Sequence, residues 1–180
     1  METDRPDLDH RFNQIKQAYA EFENYLKDSG KGLVYRTEKG IYGTTNLDAI
    51  FRFFKEIGLQ NYKSFLDLGC GDGRVVLIAS LFTKATGIEY DQDLISIAEK
   101  IRNQLNIDCE LITGDYLAHD LTSYDIVFMN PDHEFGELDE KLRKELMGPL
   151  FIYNNIFAPE SLKKGKSYWP SQVPVIKYSK

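Results

Sequence analysis

Two amphipathic helices are predicted at the N-terminal end of the chain. Between His10 and Lys27, apolar residues recur at intervals of three and four positions, which places them on one face of a helix. A second stripe of this kind follows Thr44–Asn46, a sequence typical of a helix N-cap, and it ends at Gly58. The segment between the two helices, Leu33–Gly43, has no clear period and is predicted to be a loop.

Short apolar runs typical of buried strands alternate with helical stripes over the rest of the chain. The predicted strands are Ser64–Leu68, Ala85–Glu89, Cys109–Thr113, Asp125–Met129 and Leu150–Tyr153, and the helices are Arg74–Leu81, Asp93–Asn106 and Glu134–Met147. This alternation indicates an α/β fold with a doubly wound, mainly parallel sheet and helices on both faces. Two abbreviated strands, Ser167–Pro170 and Val173–Tyr178, are expected to form a shortened antiparallel edge, because Pro170 and Pro174 restrict strand pairing.

The composition favours a single intracellular domain. A length of 180 residues suits one domain, and the cysteines, Cys70 and Cys109, lack metal-ligand spacing and are typical of reduced thiols. No apolar run reaches the ~20 residues of a membrane span, so we expect a cytoplasmic protein without a membrane partner. The formal charge of −6 argues against direct nucleic-acid binding, and Lys163–Lys166 is predicted to be a solvated turn.

The segment Lys63–Val76 predicts a small-molecule site. A buried strand runs into a turn that is rich in glycine, and a helix follows; the glycines allow the backbone to come close to a ligand. Their G-x-G-x-G spacing differs from the G-x-G-x-x-G of dinucleotide sites, and Asp67 and Asp72 would repel a pyrophosphate. An acidic glycine loop instead suits a ligand with a cationic end. S-adenosylmethionine (SAM) carries a sulfonium and an ammonium and has no phosphate.

Acidic residues also end the next two predicted strands. Because the carboxyl ends of parallel strands lie at one edge of a sheet, these side chains are expected to meet the glycine loop. Glu89 can accept hydrogen bonds from both ribose hydroxyls, and Asp115 can accept one from the adenine amino group while Tyr116 stacks on the ring. Structural roles stay open for all three acids: a surface position for Glu89, an Asx turn for Asp115, and bracing of the loop amides for Asp67. The fourth and fifth predicted strands end in polar residues as well, within Asn130–Asp132 and Asn154–Asn155.

These motifs in combination resemble the class I SAM-dependent methyltransferases. The resemblance rests on the D-x-G-x-G-x-G loop, the acid that ends the second strand and the Gly-Asp-aromatic sequence that ends the third, and it covers about residues 64–153. It implies a Rossmann-like fold that binds SAM. The cofactor contacts that it implies are Asp67, Gly69, Cys70, Gly71, Gly73, Glu89, Asp115 and Tyr116.

A narrower resemblance involves segments on both sides of that core. Ile41–Asp48 contains Tyr-Gly-Thr-Thr, Asn130 ends the fourth strand, Phe157–Pro159 reads Phe-Ala-Pro, and Trp169 lies near the C-terminal strand. This order is similar to the non-SET protein-lysine methyltransferases of the disruptor-of-telomeric-silencing type. It implies two parts of a single structural domain, an N-terminal helix with a SAM-covering loop (residues 1–43) and a methyltransferase core (residues 44–180).

The narrower resemblance also implies a substrate and individual roles. The activity would be N-methylation of lysine in a protein substrate. Tyr42 and Thr45 would close over SAM, Asn130 would contact SAM beside the transferred methyl group, and Tyr42 and Asn130 would be the catalytic positions. Trp169, together with Pro131, would wall the lysine channel.

The run Pro131–Glu134 departs from that family pattern, which has a second asparagine and aromatic residues there. Cys70 and Arg74 stand where the family commonly has serine and glutamine. Asp132 and His133 are the titratable residues nearest to the expected acceptor, but a role as polar loop residues is favoured over a base. The family's basic extension is absent, so a nucleosomal substrate is not expected. Two alternatives stay open: a small-molecule or amide/amino N-methyltransferase, and a non-catalytic SAM-binding interaction module.

Overall fold

The computed structural model describes residues 5–30, 32–38, 40–154 and 156–180. The helices in these ranges are α1 (Arg5–Asp28), α2 (Leu47–Ile57), α3 (Arg74–Ala79), α4 (Gln92–Gln104) and α5 (Glu137–Glu145). The strands are β1 (Val34–Arg36), β2 (Ile41–Gly43), β3 (Ser64–Leu68), β4 (Lys84–Glu89), β5 (Glu110–Thr113), β6 (Ile126–Met129), β7 (Leu150–Tyr153), β8 (Lys163–Tyr168) and β9 (Val175–Ser179). None of the helices in these ranges combines the length and the apolar character needed to cross a membrane.

The seven strands β3 to β9 form one mainly parallel sheet in the order β5-β4-β3-β6-β7-β9-β8. Five neighbouring strands of this sheet, β5, β4, β3, β6 and β7, are parallel. Strand β9 pairs antiparallel with β7 on one side and with the edge strand β8 on the other. The chain leaves β3 towards β4 on one side and returns to β6 on the other. The connections after β3 and β6 therefore diverge at the carboxyl edge, where open α/β sheets bind ligands. The expected Rossmann-like α/β fold is confirmed.

Helices cover both faces of the sheet, but unevenly. Alternate residues of each strand point to opposite faces, so Phe65 and Phe128 join the core under α1 to α4, whereas Leu66 and Val127 join the core under α5. The first core is rich in aromatic rings, and the rings of Phe12 in α1 and Phe51 in α2 stack with their centroids 3.8 Å apart. The N-terminal helix is thus part of the main core and packs beside the glycine loop.

The segment predicted as a loop before α2 contains a small hairpin. Strands β1 and β2 pair antiparallel, with Tyr35 opposite Tyr42, and the two rings lie 4.9 Å apart. Three-residue strands are too short to show a hydrophobic period, which is why the loop prediction was wrong here. The predicted cap of α2 is confirmed, since the Asn46 side chain accepts a hydrogen bond from the backbone N–H of Ala49.

The C-terminal hairpin also differs from its prediction. Lys163–Lys166 forms the exposed start of the edge strand β8 and is not a turn, and its lysine side chains lie in solvent. Pro170 and Pro174 lie between β8 and β9 and leave β9 inside the sheet. Helix α5 begins at Glu137 rather than Glu134, because Gly136 has a φ of 48° and breaks the helical path. Asn155, assigned from sequence to a polar strand end, lies outside the described residues.

Substitution of Gly73, which precedes α3, tests how tightly the glycine loop packs against α4. It has a φ of 76°, and a Cβ added there would lie 2.6 Å from the Cβ of Ala98 in α4. Gly30 has a φ of 75° with open space around its added Cβ. We expect Gly30→Ala to lower the free energy of unfolding by about 1–2 kcal/mol, the cost of the left-handed conformation. In Gly73→Ala the contact with Ala98 adds to this cost, and the free energy of unfolding should fall by about 1–3 kcal/mol more. Equal losses in chemical denaturation would contradict the close packing.

Candidate functional site

A cavity of about 450 Å³ opens at the carboxyl edge of the parallel strands. The ends of β3, β4 and β6, the loop after β5 and the β1–β2 hairpin all contribute to it. Most of the residues predicted from sequence line this one cavity: Tyr42, Thr45, Asp67, Gly69, Cys70, Gly71, Glu89, Asp115, Tyr116, Asn130 and Pro131. Residues that are far apart in sequence therefore meet as the strand-end argument predicts.

Two predicted site residues do not line the cavity. Gly73 faces Ala98 of α4 instead, so its lack of a side chain serves helix packing. Trp169 follows β8 and is 64% exposed, whereas its neighbour Tyr168 packs against Phe53 and Phe151. In the turn after β8, the Arg52 side chain donates to the carbonyl of Pro170 (2.6 Å). The expected channel wall at Trp169 is thus not formed in this structure.

Glu89 holds the glycine loop in place. One carboxylate oxygen accepts from the backbone N–H of Gly71 and the other from that of Asp91, both at 2.9 Å. An ionised carboxylate has about four acceptor positions, so these bonds leave capacity for two hydroxyl donors. Glu89 therefore joins the loop that carries the glycines to the strand end that would meet a ribose.

Asp67 is a buried acid of the cavity. It is 3% exposed, and burial, followed by the negative charges of Glu89 and Asp72, raises its pKa well above the ordinary value. A carboxylate under such conditions gains most from a cation that enters the cavity. The site is therefore suited electrostatically to a positively charged ligand.

Asp115 takes the structural role that the sequence left open, as the cap of a short turn. Its side chain accepts from the backbone N–H of Leu117 at 2.9 Å, and the backbone N–H of Gly114 donates to the carbonyl of Glu89. The second bond ties the ends of β5 and β4 together. Tyr116 lines the cavity next to this turn, and burial raises the pKa of its hydroxyl. The turn thus presents a carboxylate and an aromatic ring side by side.

Asn130 is held in place by Asn154, for which the sequence predicts only a polar strand end. The amide of Asn154 donates to the side-chain oxygen of Asn130 (3.0 Å) and to the carbonyl of Pro131 (3.2 Å). Asn154 itself has a φ of 122°, an unusual conformation for a residue with a side chain. The strand end after β7 therefore positions the loop after β6.

A buried ion pair that the sequence does not predict lines the cavity. The Arg74 guanidinium, 3% exposed, lies 2.7 Å from Asp72 and 2.9 Å from Glu23 of α1. Burial opposes the charge of Arg74, but Asp72 outweighs it and raises the pKa of the guanidinium. The only signal in the sequence was a charged residue directly before the apolar run of α3, which stood out as a departure from the family.

The same ion pair anchors the hairpin that covers the cavity. The hydroxyl of Tyr42 donates to the Asp72 carboxylate (2.8 Å), and Tyr19 of α1 donates to the Asp72 backbone carbonyl (2.7 Å). Burial and the nearby Asp72 raise the pKa of Tyr42, so its hydroxyl stays protonated and can donate. The backbone N–H of Ile41, the residue before Tyr42, donates to the carboxylate of Asp132. The strand β2 is therefore held at two neighbouring residues, Ile41 and Tyr42.

The family model described as Histone methylation protein DOT1 matches residues 34–160. This match covers well over half of the chain, and the chain therefore belongs to that family. The Probable S-adenosylmethionine-dependent methyltransferase CRG1 of Saccharomyces cerevisiae is 27% identical over 101 residues, which are 56% of this chain and 33% of that protein. The chain thus matches only about a third of the length of this relative.

Solved structures share the fold. An RNA methyltransferase from Salinibacter ruber in complex with S-adenosyl-L-homocysteine aligns with a TM-score of 0.63 and 20% identity, over 75% of this chain and 92% of that one. A SAM-dependent methyltransferase from Aquifex aeolicus aligns with a TM-score of 0.57 and 17% identity, over 72% and 88% of the two chains. The expected class I SAM-dependent methyltransferase is confirmed at the level of family and fold.

Removal of the Asp67 charge should have opposite effects on the stability of the ligand-free protein and on SAM binding. We expect Asp67→Asn to raise the free energy of unfolding without ligand, because it removes a buried charge beside Glu89 and Asp72. The same change should weaken SAM binding about tenfold to a hundredfold, the loss of a charge-assisted contact of about 1.5–3 kcal/mol. Thermal unfolding and calorimetric titration measure the two effects. Asp108→Asn, at an exposed position outside the cavity, should change neither. Unaltered SAM affinity in Asp67→Asn would remove Asp67 from the cofactor site.

Proposed function

We propose that this chain transfers the methyl group of SAM to the side-chain amine of lysine in a protein substrate. One observation carries the proposal. The family match, residues 34–160, spans both the Tyr42 segment and Asn130, and these residues line the same acidic cavity from opposite sides. A cavity with this arrangement has a cofactor cover on one side and a polar strand end on the other.

In this proposal the acids of the cavity bind the three parts of SAM. Glu89 accepts from the ribose hydroxyls, and Asp115 accepts from the adenine amino group while Tyr116 contacts the ring. Asp67 faces the cationic methionine end, which passes along the backbone of the loop from Gly69 to Gly71. These assignments are consistent with a cavity whose strand ends provide carboxylates rather than a phosphate cradle.

The cover and the strand end have separate roles in methyl transfer. Methyl transfer is an SN2 displacement at a carbon that the sulfonium already activates, so the protein must align the amine, the methyl carbon and the sulfur. Tyr42 and Thr45, buried in the hairpin and the turn before α2, exclude water above the cofactor. Asn130 and Pro131 are assigned to the amine side, and Asn154 keeps that loop in position.

The surface next to the cavity supports an extended, cationic substrate. A second concave surface of about 400 Å³ begins at Glu134, one residue after the last residue that lines the cavity. It contains the carboxylates of Asp139 and Glu160 and the exposed side chain of Ile156. A peptide with basic and apolar side chains around its lysine complements this surface. The formal charge of −6 disfavours a nucleic-acid acceptor.

We also infer a cytoplasmic location. Cys70 and Cys109 are both free in the fold, which is typical of proteins kept in a reducing compartment.

Incubation with methyl-labelled SAM and a protein extract tests the proposed activity. We expect label in protein, and mass spectrometry of the labelled peptides should place it on lysine side chains. Glu89→Gln should lose labelling, because an amide has one acceptor oxygen where the carboxylate has two. Glu99→Ala, in α4 and outside the cavity, should retain it. Label confined to small molecules would contradict the protein substrate, and SAM binding without any label would contradict catalysis.

A further inference from the structure

The run Pro131–Glu134, which breaks the family pattern, contains a histidine and an aspartate that form a hydrogen-bonded pair. The Nδ1 atom of His133 lies 2.5 Å from one carboxylate oxygen of Asp132. The other oxygen of Asp132 accepts from the backbone N–H of Ile41 in the hairpin over the cavity. Both side chains line the cavity beside Asn130 and Pro131. The pair thus stands on the side of the site assigned to the incoming amine.

We propose that His133 is the general base that removes the proton from the acceptor ammonium, and that Asp132 is the residue that positions it. This inference rests on the proposed lysine methylation. A lysine side chain is protonated at neutral pH and in that form has no lone pair for attack. A base that acts before the displacement supplies the reactive amine.

The hydrogen bond to Asp132 prepares His133 for this role. A carboxylate next to Nδ1 favours the tautomer with the hydrogen on Nδ1, which leaves Nε2 unprotonated and able to accept. The same carboxylate stabilises the imidazolium that forms. Because Asp132 is itself held by the Ile41 backbone, the orientation of the ring is coupled to the hairpin that covers the cavity.

The steps balance without a further reactant. The ammonium transfers one proton to Nε2 of His133 and becomes a neutral amine. The amine nitrogen then attacks the methyl carbon of SAM, the carbon–sulfur bond breaks, and the electron pair of that bond stays on sulfur to give S-adenosylhomocysteine. The methylated ammonium leaves, and the imidazolium releases its proton to solvent, which reaches the 54% exposed His133 side chain.

Three other titratable groups of the cavity have competing bonds. Glu89 accepts from Gly71 and Asp91, and Asp115 caps its own turn. The hydroxyl of Tyr42 donates to Asp72, and its pKa is raised. The charged groups next to His133 on its own loop are Asp132 and Glu134, and the charge of Asp132 also contributes to the raised pKa of Tyr116 in the turn after β5.

The pH dependence of methylation under saturating SAM tests the inference. His133→Gln should reduce kcat/KM for a lysine peptide about a hundredfold at pH 7, because no base then removes the proton of the ammonium. The deficit should shrink towards pH 10, where the amine loses its proton unaided. A residue that only shaped the loop would give a deficit independent of pH.

Matched variants separate the roles. Asp132→Asn keeps an oxygen for the Ile41 backbone but loses the charge that orients the His133 ring. It should lower kcat/KM about tenfold, with a deficit that also shrinks towards pH 10. His10→Gln, on α1 and outside the cavity, should match the wild type. Calorimetric SAM affinity should be unchanged in His133→Gln. A wild-type pH profile in His133→Gln would overturn the base while lysine methylation itself stands. Absence of lysine methylation by the wild type would overturn both.

Discussion

The buried pair of Arg74 and Asp72 is the interaction on which the arrangement of the site depends. The Asp72 carboxylate receives the guanidinium and the Tyr42 hydroxyl, and Arg74 also reaches Glu23 of α1 and the backbone carbonyl of Thr45. The pair therefore joins the glycine loop, the N-terminal helix and the hairpin over the cavity. Removal of Arg74 would leave the buried Asp72 carboxylate without a cationic partner, a loss of about 3–5 kcal/mol in comparable proteins.

This pairing also determines the charge that a ligand meets. Asp72 and Arg74 line the cavity but compensate each other, so the acids that remain for a ligand are Asp67, those at the next two strand ends and Asp132 after β6. Asp67 is too buried to be well solvated, and its raised pKa reflects this. A cationic cofactor offsets the free-energy cost of this buried charge. The same requirement explains why the loop is acidic and is not a phosphate cradle.

Local patterns in the sequence predict the parallel sheet and its acidic edge. The bounds of β3 and β7 agree with prediction because buried central strands are rich in apolar residues, with Asp67 as the charged exception in β3. Glu89 and Asp115 follow from the rule that strand ends converge. The hydrogen-bond network around Arg74 and Asp72 could not be predicted in this way. Its hydrogen bonds join residues that are 2, 29, 30 and 51 positions apart in the sequence. Strand β8 was missed because its lysines are exposed and give no apolar period.

A crystal structure with bound S-adenosylhomocysteine tests the central claim, a cofactor site closed by a hairpin that the buried ion pair holds. We expect the ribose hydroxyls within hydrogen-bond distance of the Glu89 carboxylate and the adenine beside Asp115 and Tyr116. The Tyr42 hydroxyl should remain on Asp72, and Arg74 should still contact both Asp72 and Glu23. A ligand bound outside this cavity, or one whose binding separates Tyr42 from Asp72, would contradict a site closed in this way.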